Sequence, residues 1–232
     1  MHFVRGSPYA RNRRPNRPGG PNDQRGSPHL NDDLTAIVLA GGRSSRFGSN
    51  KALARLHGVT FLDRVLGAAR DVCPRAVVVL APAQPEPALI EREGVTFTRD
   101  LTPHEGPLAG VIAGLEAIAT GWALVASCDA PLVQSPLLAL LAGRRAESAQ
   151  AVLADVGGRL QPFPAVVSRS SLPRLRAAFE AGERRIGRVL EQLPRVEVPE
   201  ATLRFTDPQL LSFRNVNSPE DLAALELELS DP

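Results

Sequence analysis

Ala36-Ile37-Val38-Leu39-Ala40-Gly41-Gly42-Arg43-Ser44-Ser45-Arg46-Phe47-Gly48-Ser49-Asn50-Lys51 is the stretch from which the fold of this chain can be read. Its first four residues form the apolar run that a strand buried on both faces requires. The glycine pair lets the backbone turn tightly and present bare N–H groups to a ligand. Arg43, Arg46 and Lys51 follow closely. Glycine donors and cations at the end of a strand suit a polyphosphate. Lys51 is the sharpest signal, because it is the only lysine among 27 Lys and Arg residues. Arginine is a broad planar fork and lysine a compact ammonium. A slot that admits only a point charge between phosphate oxygens explains the exception. Chance survival of one surface lysine is the weaker reading, since glycines and arginines surround it.

Past Lys51, strand and helix signals alternate. The first strand covers 34–40. Thr60 caps a helix running to about Asp71, with Asp63 placed for a capping box. A second strand covers 76–80, a short helix 85–93 and a third strand 95–97. A helix opens at Pro107 and ends at Gly121. The fourth strand, 122–126, runs into Ser127-Cys128-Asp129. Ser135-Pro136 opens the next helix. Strands at 150–156 and 163–167 flank a Gly157-Gly158 turn, and 171–181 and 184–193 are helical. Ser218 and Asp221 cap a last helix reaching about Leu229. This alternation predicts a three-layer α/β/α fold on a mainly parallel, doubly wound, Rossmann-like sheet. Ligands of such sheets bind outside the carboxyl ends of the strands. The 41–51 loop, Asp100 and Asp129 are therefore expected along one rim.

The 232 residues fit one α/β domain, 34–230, behind a tail, 1–33. Aromatics make up only 4%, so Leu, Val and Ala must fill the interior. No apolar run is long enough to span a membrane. Cys73 and Cys128 are too few for a disulfide framework or a Cys-rich zinc site, and the expected compartment is the reducing cytoplasm. The tail holds six arginines against three aspartates, a net +3, which leaves −1 for the body. A body that is not basic argues against nucleic acid as a partner. The tail is rich in Arg, Pro, Gly and Asn and is expected to be disordered. It has no apolar segment of a secretory signal. It reads as an inert extension or a start placed too early, with a weak anion-binding arm as the alternative.

Asp129 directly follows a buried strand, where a carboxylate is costly without a cation. Mg²⁺ takes one or two carboxylates together with phosphate oxygens, so Asp129 is the candidate metal ligand; a turn or capping aspartate is the alternative. His57 precedes a glycine and reads as a turn residue. His104 lies in a loop beside Glu105 and is assigned no catalysis. Cys128 reads as buried packing.

Two familiar phosphate loops fail. Gly48 is followed by Ser49-Asn50 before Lys51, which breaks G-x-x-x-x-G-K-[ST], and Gly41-Gly42 before Arg43-Ser44-Ser45-Arg46 breaks G-x-G-x-x-G. The stretch instead resembles L-A-G-G-x-S-x-R-M-G-x-D-K of the nucleotidyltransferases that load a nucleotide onto the molybdenum cofactor, with Phe47 for Met and Asn50 for Asp. Further along, Gly106-Pro107-Leu108-Ala109-Gly110, Cys128-Asp129 before Pro131, Gln161-Pro162, and Phe213 to Leu222 match G-P-L-A-G, C-D-x-P, Q-P and F-x-N-x-N-T-P-E-D-L, with Ser218 for Thr. The similarity covers 34–229 and is closest to the MobA type of molybdenum cofactor guanylyltransferase.

That resemblance implies transfer of GMP from GTP to the terminal phosphate of the molybdenum–molybdopterin cofactor, with Mg²⁺ and release of pyrophosphate. It implies nucleotide binding by Leu39, Ala40, Gly41, Gly42, Lys51, Asp100 and Asp129, catalysis by Arg46, Lys51 and Asp129, and acceptor binding by Gln161, Asn215 and Asn217. Cofactor-delivery or acceptor proteins are the partners such an enzyme could meet. Cytidylyl members tend to carry aspartates where Asn215 and Asn217 stand, which tilts the reading to guanine. Guanylyl members often have an asparagine at the end of the second strand, where Leu80-Ala81-Pro82 offers no polar side chain. Base recognition is therefore expected to rest on backbone groups. The alternatives are a cytidylyltransferase, another nucleotidyltransferase with a phosphorylated acceptor, and a non-catalytic nucleotide-binding regulator; Lys51 and Asp129 speak against the last.

Overall fold

The computed structural model describes residues 32–41, 47, 50–90, 92–100 and 106–230. The chain runs β1 (Leu34–Leu39), a small hairpin of β2 (Arg55–Leu56) and β3 (Val59–Thr60), α1 (Phe61–Arg70), β4 (Ala76–Leu80) and β5 (Val95–Arg99). There follow α2 (Pro107–Ala117), β6 (Trp122–Ser127), α3 (Ser135–Ala142), β7 (Ala151–Val156) and β8 (Arg159–Ser168). The last part holds α4 (Leu172–Glu180), α5 (Ile186–Leu190), β9 (Arg195–Pro199), α6 (Glu200–Leu203) and α7 (Pro219–Ser230). Seven strands form one sheet in the order β5-β4-β1-β6-β8-β7-β9. Of these only β8 runs antiparallel to its neighbours. The predicted mainly parallel, three-layer architecture is the one observed.

The apolar run of β1 is explained by its place at the middle of this sheet. All six of its residues are buried. Ala36 and Val38 face a core built with Leu62, Val65, Leu137 and Leu141 from α1 and α3. Ile37 and Leu39 face the opposite core, with Leu108, Val111, Leu115 and Leu175 from α2 and α4. Each such side chain contributes about 1.5–3 kcal/mol on burial, which offsets the cost of ordering the strand. The α1 start is as read: Thr60 Oγ accepts the Asp63 N–H at 3.0 Å and donates to Asp63 Oδ2 at 2.5 Å.

Several boundaries differ from the sequence reading. No helix forms over 85–93 among the described residues. Pro82, Pro85 and Pro87 lack the N–H groups a helix needs, and side chains pin the loop instead. Asp63 Oδ1 accepts the Ile90 N–H at 3.1 Å, and Arg99 donates to the Gln84 carbonyl at 3.2 Å. α2 ends before Ile118, which is extended and buried, rather than at Gly121. β8 is longer than expected because an irregularity opposite Leu153 and Ala154 accommodates Pro162 and Pro164. β9 and the β2–β3 hairpin were not anticipated. The alternation Arg195-Val196-Glu197-Val198 was the available signal for β9, with charged residues suiting an edge strand.

Candidate active site

Lys51 stands on a single 3₁₀ turn, Lys51–Leu53. Asn50 makes that turn, its Oδ1 accepting the Ala52 N–H at 3.1 Å. Either Asn or Asp can form such a cap, so this departure from the motif leaves the turn intact. Phe47 packs edge-on to Phe61, with ring centroids 6.3 Å apart. Both belong to a small core with Leu56, Val216 and Leu225, which joins the loop to the C-terminal segment.

That segment belongs to no strand. Val216 points inward and its N–H reaches the Asp129 carbonyl at 2.7 Å, so Asn215 and Asn217 face outward on either side of it. Asp221 accepts the N–H groups of Asn217 and Ser218 at 2.7 and 3.0 Å, and Ser218 Oγ accepts the Asp221 N–H at 3.2 Å. This cap of α7 fixes the backbone that presents Asn217.

The three segments converge on the Lys51 ammonium. Lys51 Nζ donates to Asn217 Oδ1 at 2.9 Å and lies 4.0 Å from Asp129 Oδ2. It also stands 5.9 Å from the centre of the Phe47 ring. Its side chain is only 18% exposed and that of Asp129 32%. Burial lowers the Lys51 pKa from the ordinary 10.5, and the charges of Asp129 and then Asp221 partly restore it. Cys128 is wholly buried and its thiol is pushed up by desolvation, so it is no nucleophile. His57 has φ +50° in the β2–β3 turn, as expected of a turn residue.

The other predicted residues spread along the rim. Leu39 and Ala40 are buried, the Leu39 carbonyl accepting the Cys128 N–H at 3.1 Å and the Ala40 N–H reaching the Val79 carbonyl at 2.9 Å. They can touch a ligand only through backbone near Gly41. Gly41 is exposed, and a Cβ there would lie 2.5 Å from the Ala81 nitrogen, so the approach of β1 to the end of β4 alone demands glycine. Asp100 directly follows β5, its N–H on the Leu80 carbonyl at 2.9 Å, and lines a cleft with α2 and α4. Three strand spacings, about 14 Å, separate it from the Asp129 strand. Gln161 lies on β8 before Ala165, the partner of Val125, and so beyond the carboxyl end of β6; its Nε2 donates to the Arg159 carbonyl at 3.0 Å. Gly42, Arg46 and His104 lie outside the described residues.

The G-P-L-A-G glycines have structural roles of their own. Gly106 has φ +87° against the Arg184 carbonyl, and Gly110 packs on Leu39. Sequence reasoning missed Gln84, whose Oε1 accepts the Ala81 N–H at 3.2 Å at the end of β4. No motif marks it, because the contact depends on how the proline loop folds back.

Among the described residues no three His, Cys, Asp or Glu side chains cluster as a metal cage. Asp129 offers a hard carboxylate beside Lys51. One carboxylate suits a cation that shares its remaining ligands with phosphate and water. A point charge, an amide, a carboxylate and a bare glycine backbone together can hold a polyphosphate.

Comparison with known proteins agrees with this chemistry. The family model described as MobA-like NTP transferase domain matches residues 36–197. A probable molybdenum cofactor guanylyltransferase of Chloroflexus aggregans is 35% identical over 201 residues, covering 84% of this chain and 95% of that protein. One of Deinococcus radiodurans is 38% identical over 196 residues, covering 83% and 93%. The crystal structure of molybdopterin-guanine dinucleotide biosynthesis protein A from Archaeoglobus fulgidus superposes with a TM-score of 0.69 at 28% identity, covering 85% of this chain and all of that one.

Proposed function

Because this chain belongs to the MobA-like NTP transferase family, and is a nucleotidyltransferase, we propose that it moves GMP from GTP to the molybdenum–molybdopterin cofactor. The observation that carries the reading is the Lys51 ammonium held between Asn217 and Asp129 at the carboxyl ends of the sheet. In the proposed reaction an oxygen of the acceptor's terminal phosphate attacks the α-phosphorus of GTP. The bond from that phosphorus to the bridging oxygen breaks, and pyrophosphate leaves with the electron pair. A phosphate acceptor needs no general base, so the protein's task is position and charge.

Lys51 and Arg46 would offset the repulsion between acceptor and triphosphate. The Gly41 and Gly42 backbone would hold the phosphates, with Leu39 and Ala40 forming the strand end behind them, and Asp100 would contact the nucleotide farther along the rim. Gln161, Asn215 and Asn217 would face the acceptor. Asp129 fits Mg²⁺ as the single protein carboxylate, and the ion would supply neutralising charge to the phosphates. Cys73 and Cys128 are both free and buried, which suits the reducing cytoplasm. Proteins that deliver the cofactor or accept the product would be its partners.

Pyrophosphate release with each of the four nucleoside triphosphates and molybdenum cofactor tests the reading. GTP should be fastest. Faster turnover of CTP would leave a cytidylyltransferase, and release with none of the four would leave a nucleotide-binding regulator. Lys51→Ala should lose about 2–4 kcal/mol of transition-state stabilisation, the magnitude of one lost charge-stabilising donor. Lys51→Arg should lose most activity too, because the broad fork does not fit between Asn217 and Asp129.

A further inference from the structure

Gln84 lies outside every helix and strand. Its side chain nevertheless turns back onto the carboxyl end of β4, where Oε1 accepts the Ala81 N–H. Only the amide oxygen can accept, so this bond fixes the orientation of the group and turns the NH₂ away from Ala81. The Gln84 carbonyl is held in turn by Arg99. The NH₂ nitrogen is buried and has no hydrogen-bond partner among the described residues. A buried donor left unsatisfied is destabilising, and such groups are rare without a purpose.

Its position gives the purpose. The Ala81 nitrogen that holds the amide is the atom a Cβ on Gly41 would strike. The amide therefore stands beside Gly41, at the mouth of the phosphate loop. In the sheet order it lies two strand spacings from the Asp129 strand, about 10 Å along the rim. Between them Gly41 offers bare backbone. A nucleotide with its phosphates at Lys51 and Asp129 that extends along the rim towards β4 brings its base to Gln84.

We infer that Gln84 reads the base, its NH₂ donating to the keto oxygen at position 6 of a purine. This rests on the GTP reading above and replaces the expectation that backbone groups alone recognise the base. A lone donor accepts a keto group and rejects an amino group, which is itself a donor. Guanine and hypoxanthine satisfy the NH₂; a purine without an oxygen at position 6 leaves it orphaned.

The test is calorimetric binding without any acceptor, using GTP, ITP and 2-aminopurine riboside triphosphate, which keeps the 2-amino group but has no oxygen at position 6. The wild-type protein should bind GTP and ITP ~10- to 100-fold more tightly than the third ligand. Gln84→Glu keeps an oxygen for Ala81 and removes the donor, so the preference should vanish in protein that still unfolds cooperatively. Gln84→Ala should also lose it. An unchanged preference in both variants, no preference in the wild type, or equal weakening of all three ligands overturns the inference. Failure to bind any of the three overturns both this inference and the GTP reading. Binding with the expected preference but without pyrophosphate release would defeat the proposed function and leave the role of Gln84 standing.

Discussion

Lys51, the single lysine of the chain, has its ammonium between Asn217 and Asp129. Its partners were less legible than the lysine itself. Asn217 lies 166 residues away, and nothing local to either residue encodes the 2.9 Å bond between them. The same burial that forms the bond changes the chemistry of the ammonium. Desolvation disfavours the charged form, so its proton leaves at a lower pH than that of a free lysine, while Asp129 works in the opposite direction. Because the chain holds one lysine, ¹⁵N-lysine labelling gives one side-chain signal. Followed by NMR in metal-free, nucleotide-free protein, its titration midpoint should fall below 10.5. Asp129→Asn removes the largest group that raises it, so the midpoint should fall further. A midpoint unmoved or raised in that variant would show that the two side chains do not interact.

α2 and β1 illustrate how elements lock together. Gly110 and Gly114 present no side chain to the sheet, which brings α2 close onto Leu39 and Ile37. A Cβ at Gly114 would stand 2.6 Å from Ile37 Cγ2, and Ile37 is wholly buried with no room to yield. The gain in helix propensity from Gly114→Ala is outweighed by overpacking. A net loss of about 1–2 kcal/mol, roughly 2–8 °C in Tm, is expected by thermal unfolding. Adding Ile37→Ala should make the double variant less destabilised than the sum of the single ones. Simple additivity would place the contact elsewhere. The helix was readable from Pro107, but the tight contact of its glycines was not. The failed helix at 85–93 shows the converse: Pro85 and Pro87 and side-chain bonds from α1 and β5 hold that stretch as a loop.

In the whole molecule, the boundary of the body can be tested at Asp33, read from sequence as the last residue of the tail. Its carboxylate accepts the Gly121 N–H at 2.6 Å, and its carbonyl accepts the Trp122 N–H at 3.2 Å, tying the entry of β1 to that of β6. The stretch before it carries too little apolar patterning to build a core. A chain starting at residue 32 should therefore melt within a degree or two of the full chain and turn over equally fast. Asp33→Ala should cost about 0.5–1.5 kcal/mol, the net worth of an ordinary hydrogen bond, because this one is exposed to solvent. A large drop in Tm from the truncation would mean that the first 31 residues pack on the body.

Periodicity and composition carried the layer order, the mainly parallel sheet and the rim where strands end, because those follow from which residues must leave water and from the right-handed crossovers that join parallel strands. They also carried the expectation that the first loop meets phosphate, since glycine and cation chemistry is local. They could not carry which distant side chains meet. The approach of Val216 to the Asp129 carbonyl and the bond from Lys51 to Asn217 both join residues from different loops. Their distances are set by the packing of whole layers, and no short stretch of chain contains that information.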